Sequence, residues 1–188
     1  SYYWDTYFTA VGLVASGRVD LLESMIRNFA DLIDRYGHIP NGNRSYYLSR
    51  SQPPFFCCML QLLEDTKGKA SIEPFITQLE AEYRFWMDQS GDQTGLPAAY
   101  RRTVRLADGT LLNRYWDDSK RPREESFAED VALFERTPEH LQADLYRNIR
   151  AAAESGWDFS SRWFAADAPD NRQLETIRTT ALIPIDLN

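Results

Sequence analysis

Hydrophobic residues recur at three- and four-residue spacing along most of the chain, and this period predicts amphipathic helices. The clearest example is the segment 19–36, where Leu22, Ile26 and Ile33 fall on one face and Gly37 supplies a stop signal. Similar patterns predict further helices at 5–16, 53–64, 71–90, 126–136 and 138–155, and a short one near 171–178. The chain is therefore predicted to be mainly helical.

Two segments break the helical period. The sequence "RTVRLADGTLLNRYW" predicts a small β-hairpin with Asp108 and Gly109 at its turn. The final residues, "ALIPIDLN", predict extended chain. The helices come in successive pairs, joined alternately by short turns and long polar loops, without a repeat of fixed length. This rhythm predicts an all-α array of helical hairpins in a single domain, and it disfavours a TPR-type or ankyrin-type solenoid.

Three long polar loops are the predicted carriers of function, because loops on a rigid scaffold position most binding groups. They comprise residues 37–54, 91–125 and 155–170. The first, "GHIPNGNRSYYLSRSQPP", is rich in amide, hydroxyl and guanidinium groups and holds three prolines. Such a loop carries far more hydrogen-bonding groups than a connection between two helices needs.

Composition and charge restrict the classes of partner that the chain is expected to bind. The 188 residues are 43% hydrophobic, which is enough for a packed core. A net charge of −7 without a basic run argues against nucleic acid and against an anionic membrane surface. No apolar stretch approaches the roughly 20 residues that a membrane span needs. The predicted partner is a small molecule. The many Trp and Tyr residues fit either core packing or stacking on sugar rings.

Cysteine and histidine are too few for most metal or nucleophile chemistry. Cys57 and Cys58 are adjacent, and neighbours on a helix do not face one another, so free thiols are expected. Free thiols favour a reducing compartment, so the cytoplasm is expected over the periplasm. With only His38 and His140 present, a His/Cys metal centre and a Ser-His-Asp triad are both disfavoured. We expect neither a metal nor a cofactor.

Carboxylates remain as candidate catalysts, and glycoside hydrolysis uses two of them. The candidates on loops are Asp5, Asp117, Asp118, Glu124, Glu125 and Asp158. Asp158 is flanked by Trp157 and Phe159, and apolar neighbours raise the pKa of a carboxyl and keep it protonated, as a general acid requires. The alternative is an aspartate that caps a helix or pairs with a cation. The loop arginines Arg44, Arg50 and Arg123 could clamp hydroxyls or remain solvated surface charges.

Five strings resemble segments of the trehalase family of inverting glycosidases, in the same order and across nearly all 188 residues. They are "SYYWDTYF", "IPNGNRSYYLSRSQPP", "LLNRYWDD", "ESGWDFSSRWF" and "IRTTALIPIDLN". The resemblance implies an (α/α)₆ toroid that hydrolyses α,α-trehalose to two glucose molecules without a cofactor. It also implies that the chain holds about three of six hairpins, is truncated at both ends, and belongs to a protein that is monomeric when intact.

The resemblance also implies roles for individual residues. Asp158 corresponds to the catalytic acid. The implied substrate contacts are Trp4, Asp5, Asn41, Arg50, Ser51, Gln52, Arg123, Glu124, Glu125 and Gly156. Glu124 stands where the family often has proline. The catalytic base, a glutamate, is implied to lie outside this chain, so the 188 residues alone are expected to be inactive. A related glycosidase acting on another glucoside and a non-catalytic sugar-binding helical module remain as alternatives.

Overall fold

The structure, a computed structural model, describes residues 2–89, 91, 98–169 and 173–188. The chain divides into two compact units, Ser1–Trp86 and Met87–Asn188. The expectation of one partial catalytic domain stays a prediction.

The first unit is built from four α-helices. They are α1 (Tyr3–Ala15), α2 (Val19–Tyr36), α3 (Phe56–Lys67) and α4 (Ile76–Trp86). The predicted C-terminal bound of α2 is confirmed, whereas the start differs, because Arg18 and not Asp20 precedes the first helical residue. Gly37 adopts a left-handed conformation with φ of 77°, and its N–H donates to the carbonyl of Ile33, so the helix ends where the sequence places the glycine.

The core of this unit lies between the apolar faces of α1, α2 and α3. Leu22 and Ile26 of α2 are fully buried, as are Phe56 and Met59 of α3. Tyr3 and Ala10 contribute from α1, and Ile39 and Phe75 close the cluster. The spacing of apolar residues therefore predicts which face of each helix is buried.

Helices α3 and α4 begin later than predicted. Pro53 and Pro54 stay in the loop, and α3 starts at Phe56. Helix α4 starts at Ile76, because the segment before it forms two 3₁₀ turns. Pro74 lies in the second of these turns, and proline disfavours helical geometry in the residue before it.

The second unit combines a small sheet with two helices. The strands are β1 (Ala98–Tyr100), β2 (Thr103–Arg105) and β3 (Leu111–Asn113), and the helices are α5 (Phe127–Arg136) and α6 (Glu139–Glu154). The sheet is antiparallel in the order β1-β2-β3, and Val104 pairs with Leu112. The predicted hairpin is confirmed as β2 and β3, with Gly109 at its turn (φ 87°). Strand β1 is an addition that the pattern did not predict.

The C-terminal segment differs from its prediction. In place of a helix near 171–178 and an extended tail, the described residues form single 3₁₀ turns at Leu174–Thr176, Thr179–Ala181 and Ile185–Leu187. Residues 171 and 172 lie outside the described residues. The tail packs on α6, where the Asn148 side chain accepts hydrogen bonds from Thr180. None of the helices described in either unit is long and apolar enough to cross a membrane.

Candidate active site

The loop between α2 and α3, residues 37–54, is fixed by its own polar groups. The Asn41 side-chain amide donates to the Ser51 carbonyl at 2.9 Å, and the Asn41 N–H donates to the Arg50 carbonyl at 2.9 Å. The Ser51 hydroxyl donates to the Ile39 carbonyl at 2.6 Å. Asn41, Arg50 and Ser51 are all buried, so these hydrogen bonds compensate for removing the loop from water.

The same loop holds the first turn of α1. The N–H of Tyr3 donates to the Asn41 carbonyl at 3.0 Å, and the N–H of Trp4 donates to Oε1 of Gln52 at 3.0 Å. First-turn N–H groups have no partner inside their helix, so the loop takes the place of a side-chain cap. Trp4 is half-buried, Asp5 is exposed, and Gln52 is buried. The structure thus joins Trp4, Asn41, Arg50, Ser51 and Gln52 in one hydrogen-bonded cluster.

A positive charge lies within this cluster. Arg50 is only 1% exposed, and its guanidinium carbon lies 5.2 Å from the centroid of the Tyr47 ring. A cation over an aromatic face is attracted by the ring quadrupole, more strongly where water is excluded. Arg50 is therefore a buried group of this loop, and the alternative of a solvated surface charge is wrong for it.

Tyr3 and Glu82 form a buried pair that the sequence does not predict. The pair adjoins the hydrogen-bonded cluster, because Tyr3 directly precedes Trp4 in α1. The Tyr3 hydroxyl donates to Oε1 of Glu82 at 2.5 Å and accepts the N–H of Phe56 at 2.8 Å. Burial raises the pKa of Glu82 to about 7, although the hydrogen bond from Tyr3 acts to lower it. Burial, followed by the charge of Glu82, raises the pKa of Tyr3 well above its usual value. The pair ties α1, α3 and α4 together next to Trp4.

In the second unit, Arg123 is anchored by a buried aspartate. Its Nε and Nη2 donate to the Asp130 carboxylate, the latter at 2.7 Å, and its backbone N–H donates to the same group. Burial alone would lower the pKa of Arg123. The hydrogen bond and charge of Asp130, followed by the charges of Glu125 and Asp158, outweigh this effect and raise the pKa. The guanidinium carbon also lies 5.0 Å from the centroid of the Phe159 ring.

The two glutamates after Arg123 are both exposed. Glu124 accepts a hydrogen bond from Arg150 Nη1 at 3.3 Å. Arg150 is itself buried and donates to Asp117 Oδ2 at 2.9 Å. Glu124, which stands where the family often has proline, thus adds a second carboxylate to the buried ion pair of Arg150 and Asp117.

Gly156 and the residues after it form the turn that follows α6. Gly156 has φ of 68°, a left-handed conformation that side chains rarely adopt. The next residue, Trp157, donates its N–H to Ser155 Oγ at 3.0 Å and accepts a bond from the buried Trp163 indole at 3.3 Å. This turn fixes the chain on the N-terminal side of Asp158.

Asp158 is exposed, and so are Trp157 and Phe159 on either side. The sequence predicts a carboxyl enclosed by these aromatic neighbours, and the exposure of Asp158 shows that this prediction is wrong. Of the three expected aromatics, only Trp163 is buried, because it packs edge-on against Tyr115. The charge of Asp158 is among those that raise the pKa of Arg123.

A further buried ion pair supports the end of α6. Arg102 and Glu154 are both buried and joined by several hydrogen bonds, and Glu154 also accepts the N–H of Trp116 at 2.8 Å. A buried carboxylate without its cation would be strongly destabilising, so this pair constrains the residues just before Gly156. Arg102 and Glu154 are 52 positions apart in sequence, so no local pattern predicts that they pair.

Among the residues that the structure describes, no group of three or more metal-binding side chains could hold an ion.

Comparisons with known proteins agree with this arrangement of motifs. The family model described as Trehalase matches residues 1–188. Periplasmic trehalases of Escherichia coli O1:K1 and of Escherichia coli strain UTI89 are each 53% identical over 192 residues. Each alignment covers 100% of this chain and 32% of the relative, so the chain spans about a third of the length of these curated relatives.

A solved structure shares the fold. The neutral trehalase Nth1 from Saccharomyces cerevisiae superposes with a TM-score of 0.57 at 26% identity, over 83% of this chain and 31% of that one. The predicted helical class, as part of a trehalase-type (α/α)₆ toroid with a small β element, is therefore confirmed.

The expected compartment is corrected by the same comparisons. The free cysteines predict the cytoplasm, but this prediction is wrong, because the relatives at 53% identity are named periplasmic trehalases. Two adjacent thiols on one helix turn do not determine the compartment, because reduced cysteines that cannot pair sterically persist in either compartment.

The family model matches the whole length of this chain, and a trehalase structure shares its fold. This chain therefore belongs to the trehalase family.

Proposed function

We propose that the protein to which this chain belongs hydrolyses α,α-trehalose to two glucose molecules with inversion, and does so in the periplasm. The observation that carries this proposal is the 53% identity, over the whole chain, to proteins named periplasmic trehalases. The buried polar loop and the exposed aspartate after α6 support it, because they supply the two kinds of group that the reaction needs.

Substrate contacts in the first unit come from Trp4, Asp5, Asn41, Arg50, Ser51 and Gln52. Trehalose is uncharged and covered by hydroxyl groups, so each contact has to replace a hydrogen bond to water. Hydrogen bonds within the loop hold its backbone and the side chains of Asn41 and Ser51, and the N–H of Trp4 holds the Gln52 side chain, before substrate arrives. A binding loop that is already ordered loses little conformational entropy on binding, which favours affinity.

Contacts in the second unit come from Arg123, Glu124, Glu125 and the carbonyl of Gly156. Asp130 binds Nε and Nη2 of Arg123 and so fixes the plane of the guanidinium. A guanidinium held in this way can offer its remaining edge to sugar hydroxyls without first losing rotamer freedom.

Asp158 acts as the general acid and gives a proton to the oxygen that links the two glucose units. A sugar bound against Trp157 and Phe159 would exclude water from the exposed carboxyl, and water exclusion favours the protonated form of an acid. A glutamate outside this chain acts as the base and activates a water molecule on the opposite face of the sugar. In inverting enzymes the two carboxyl groups stand roughly 6.5–9.5 Å apart. Without that base, the 188 residues alone do not turn over trehalose.

The test is Asp158→Asn in the whole enzyme. General acid catalysis contributes about 10²–10⁴-fold, so kcat should fall by that factor while KM changes little. Asp144→Asn is the matched control, because Asp144 is an exposed aspartate of the same unit that pairs with Lys120 on the surface. Proton NMR of the first products should show one α- and one β-glucose per trehalose. Near-normal kcat in the Asp158 variant, or two α-glucose products, would contradict the proposal.

A further inference from the structure

Cys57 and Cys58 lie in the first turn of α3 with their sulfur atoms 3.8 Å apart. Cys57 is exposed and Cys58 is half-buried, and both are free thiols. The Cys57 thiol also donates to the carbonyl of Pro54 at 3.5 Å. The proposed trehalase activity makes no use of either thiol.

The turn that carries the two thiols is anchored on both sides. Phe56 and Met59, which bracket the pair, are fully buried. The N–H of Phe56 donates to the Tyr3 hydroxyl at 2.8 Å, and the N–H of Met59 donates to the carbonyl of Phe55 at 3.0 Å. The backbone beneath the thiols is therefore rigid, and their separation changes only through side-chain rotation.

This geometry opposes a disulfide. Adjacent Cα atoms across a trans peptide are about 3.8 Å apart, whereas disulfide-bonded cysteines have Cα atoms roughly 4.4–6.8 Å apart. Closing an S–S bond would distort the anchored first turn of α3. A single larger atom that bridges the two sulfurs avoids this distortion, because the sulfurs then stay well separated.

We propose that Cys57 and Cys58 form a chelating dithiol site for trivalent arsenic compounds of the organic arsonous acid class. Trivalent arsenic is pyramidal, and two bonds to sulfur of about 2.3 Å, as zinc makes, place the sulfurs slightly closer than the 3.8 Å between Cys57 and Cys58, within reach of side-chain rotation. An arsonous acid needs only two sulfur ligands, because its organic group fills the third position.

The reaction balances without an oxidant. Each thiol gives up its hydrogen and each As–OH bond breaks, so two As–S bonds form and two water molecules leave. Arsenic stays trivalent and both sulfurs keep their oxidation state. Partial desolvation of the thiol, followed by the charge of Cys58, raises the pKa of Cys57 to about 11, so this thiol is protonated near neutral pH. Because the condensation releases water and no net proton, its equilibrium should be nearly independent of pH between 6 and 8.

The experiment treats the native protein with phenylarsine oxide and follows adduct formation by mass spectrometry with peptide mapping. We expect one phenylarsenic group per chain on the segment 51–67, removed by excess ethanedithiol. Cys57→Ser and Cys58→Ser should each lower the affinity at least tenfold, because a single thiol cannot chelate. Circular dichroism shows whether each variant is folded. Iodoacetamide, which requires a thiolate, should label Cys57 slowly at pH 7.

Three results would overturn the proposal. The native protein could fail to take up phenylarsenic on segment 51–67. Either serine variant could keep the full affinity. The adduct could form only in urea, or no more tightly on the native chain than on a synthetic peptide of residues 51–67, which would mean that the fold does not organise the site.

Discussion

The buried acid Glu82 should make the stability of the first unit depend on pH, and Glu82→Gln should remove that dependence. Glutamine keeps the size of the side chain and an oxygen that can accept the Tyr3 hydroxyl. It cannot ionise. The substitution therefore isolates the effect of the carboxyl charge from the effect of the hydrogen bond.

The sign and size follow from the pKa of Glu82. Burial raises the pKa from 4.5 to about 7, so the folded state holds its proton over a pH range in which the unfolded state releases it. The stability due to the buried neutral acid is fully present below pH 4.5 and is lost as pH rises toward 7. At about 1.4 kcal/mol per pH unit, the total loss is on the order of 3 kcal/mol.

The assay is urea unfolding of the wild type and of Glu82→Gln between pH 4.5 and 8. The free energy of unfolding of the variant, relative to the wild type, should rise by about 3 kcal/mol over this range and level off above pH 7. Glu80→Gln is the matched control, because it makes the same substitution at an exposed position of the same helix. Parallel profiles for the wild type and Glu82→Gln would show that the carboxyl is not held neutral, and would refute the reasoning.

Further predictions concern the second unit. Arg150→Met leaves a buried carboxylate without its cation and should lower the free energy of unfolding by about 3–5 kcal/mol. Lys120→Gln, which breaks an exposed pair, should cost less than about 1 kcal/mol, and equal losses in urea unfolding would contradict this contrast. Gly156→Ala forces a side chain into a left-handed conformation and should lower the melting temperature, with a loss of about 1 kcal/mol or more. Gly12→Ala, inside a helix with open space around it, should instead raise the melting temperature.

The sequence predicts those parts of the fold that depend on local signals. The apolar spacing and Gly37 predict α2 and its C-terminal end, and the Asp108–Gly109 turn predicts the hairpin of β2 and β3. The start of α4 is missed because the 3₁₀ turns before it share the helical spacing of apolar residues. The C-terminal turns are missed because contacts with α6 shape them, and these contacts have no local signature.

The candidate site, too, could be predicted from the sequence only where its signals are local. Its polar loop stands out by composition, and the structure shows that Asn41, Arg50, Ser51 and Gln52 are buried together. The groups that hold such residues in place come from distant positions. Tyr3 and Glu82 are 79 residues apart, and each looks like an ordinary helix residue. Only the fold reveals that they meet.

The role of Asp158 as proton donor is tested most directly by comparing two substrates on Asp158→Asn in the whole enzyme. Trehalose has a poor leaving group that needs a proton, whereas α-glucosyl fluoride releases fluoride with little need of one. We predict that kcat/KM for trehalose falls by about 10²–10⁴-fold and that the loss for the fluoride is at least tenfold smaller. Equal losses for both substrates, or no loss for trehalose, would contradict the assignment of Asp158 as the general acid.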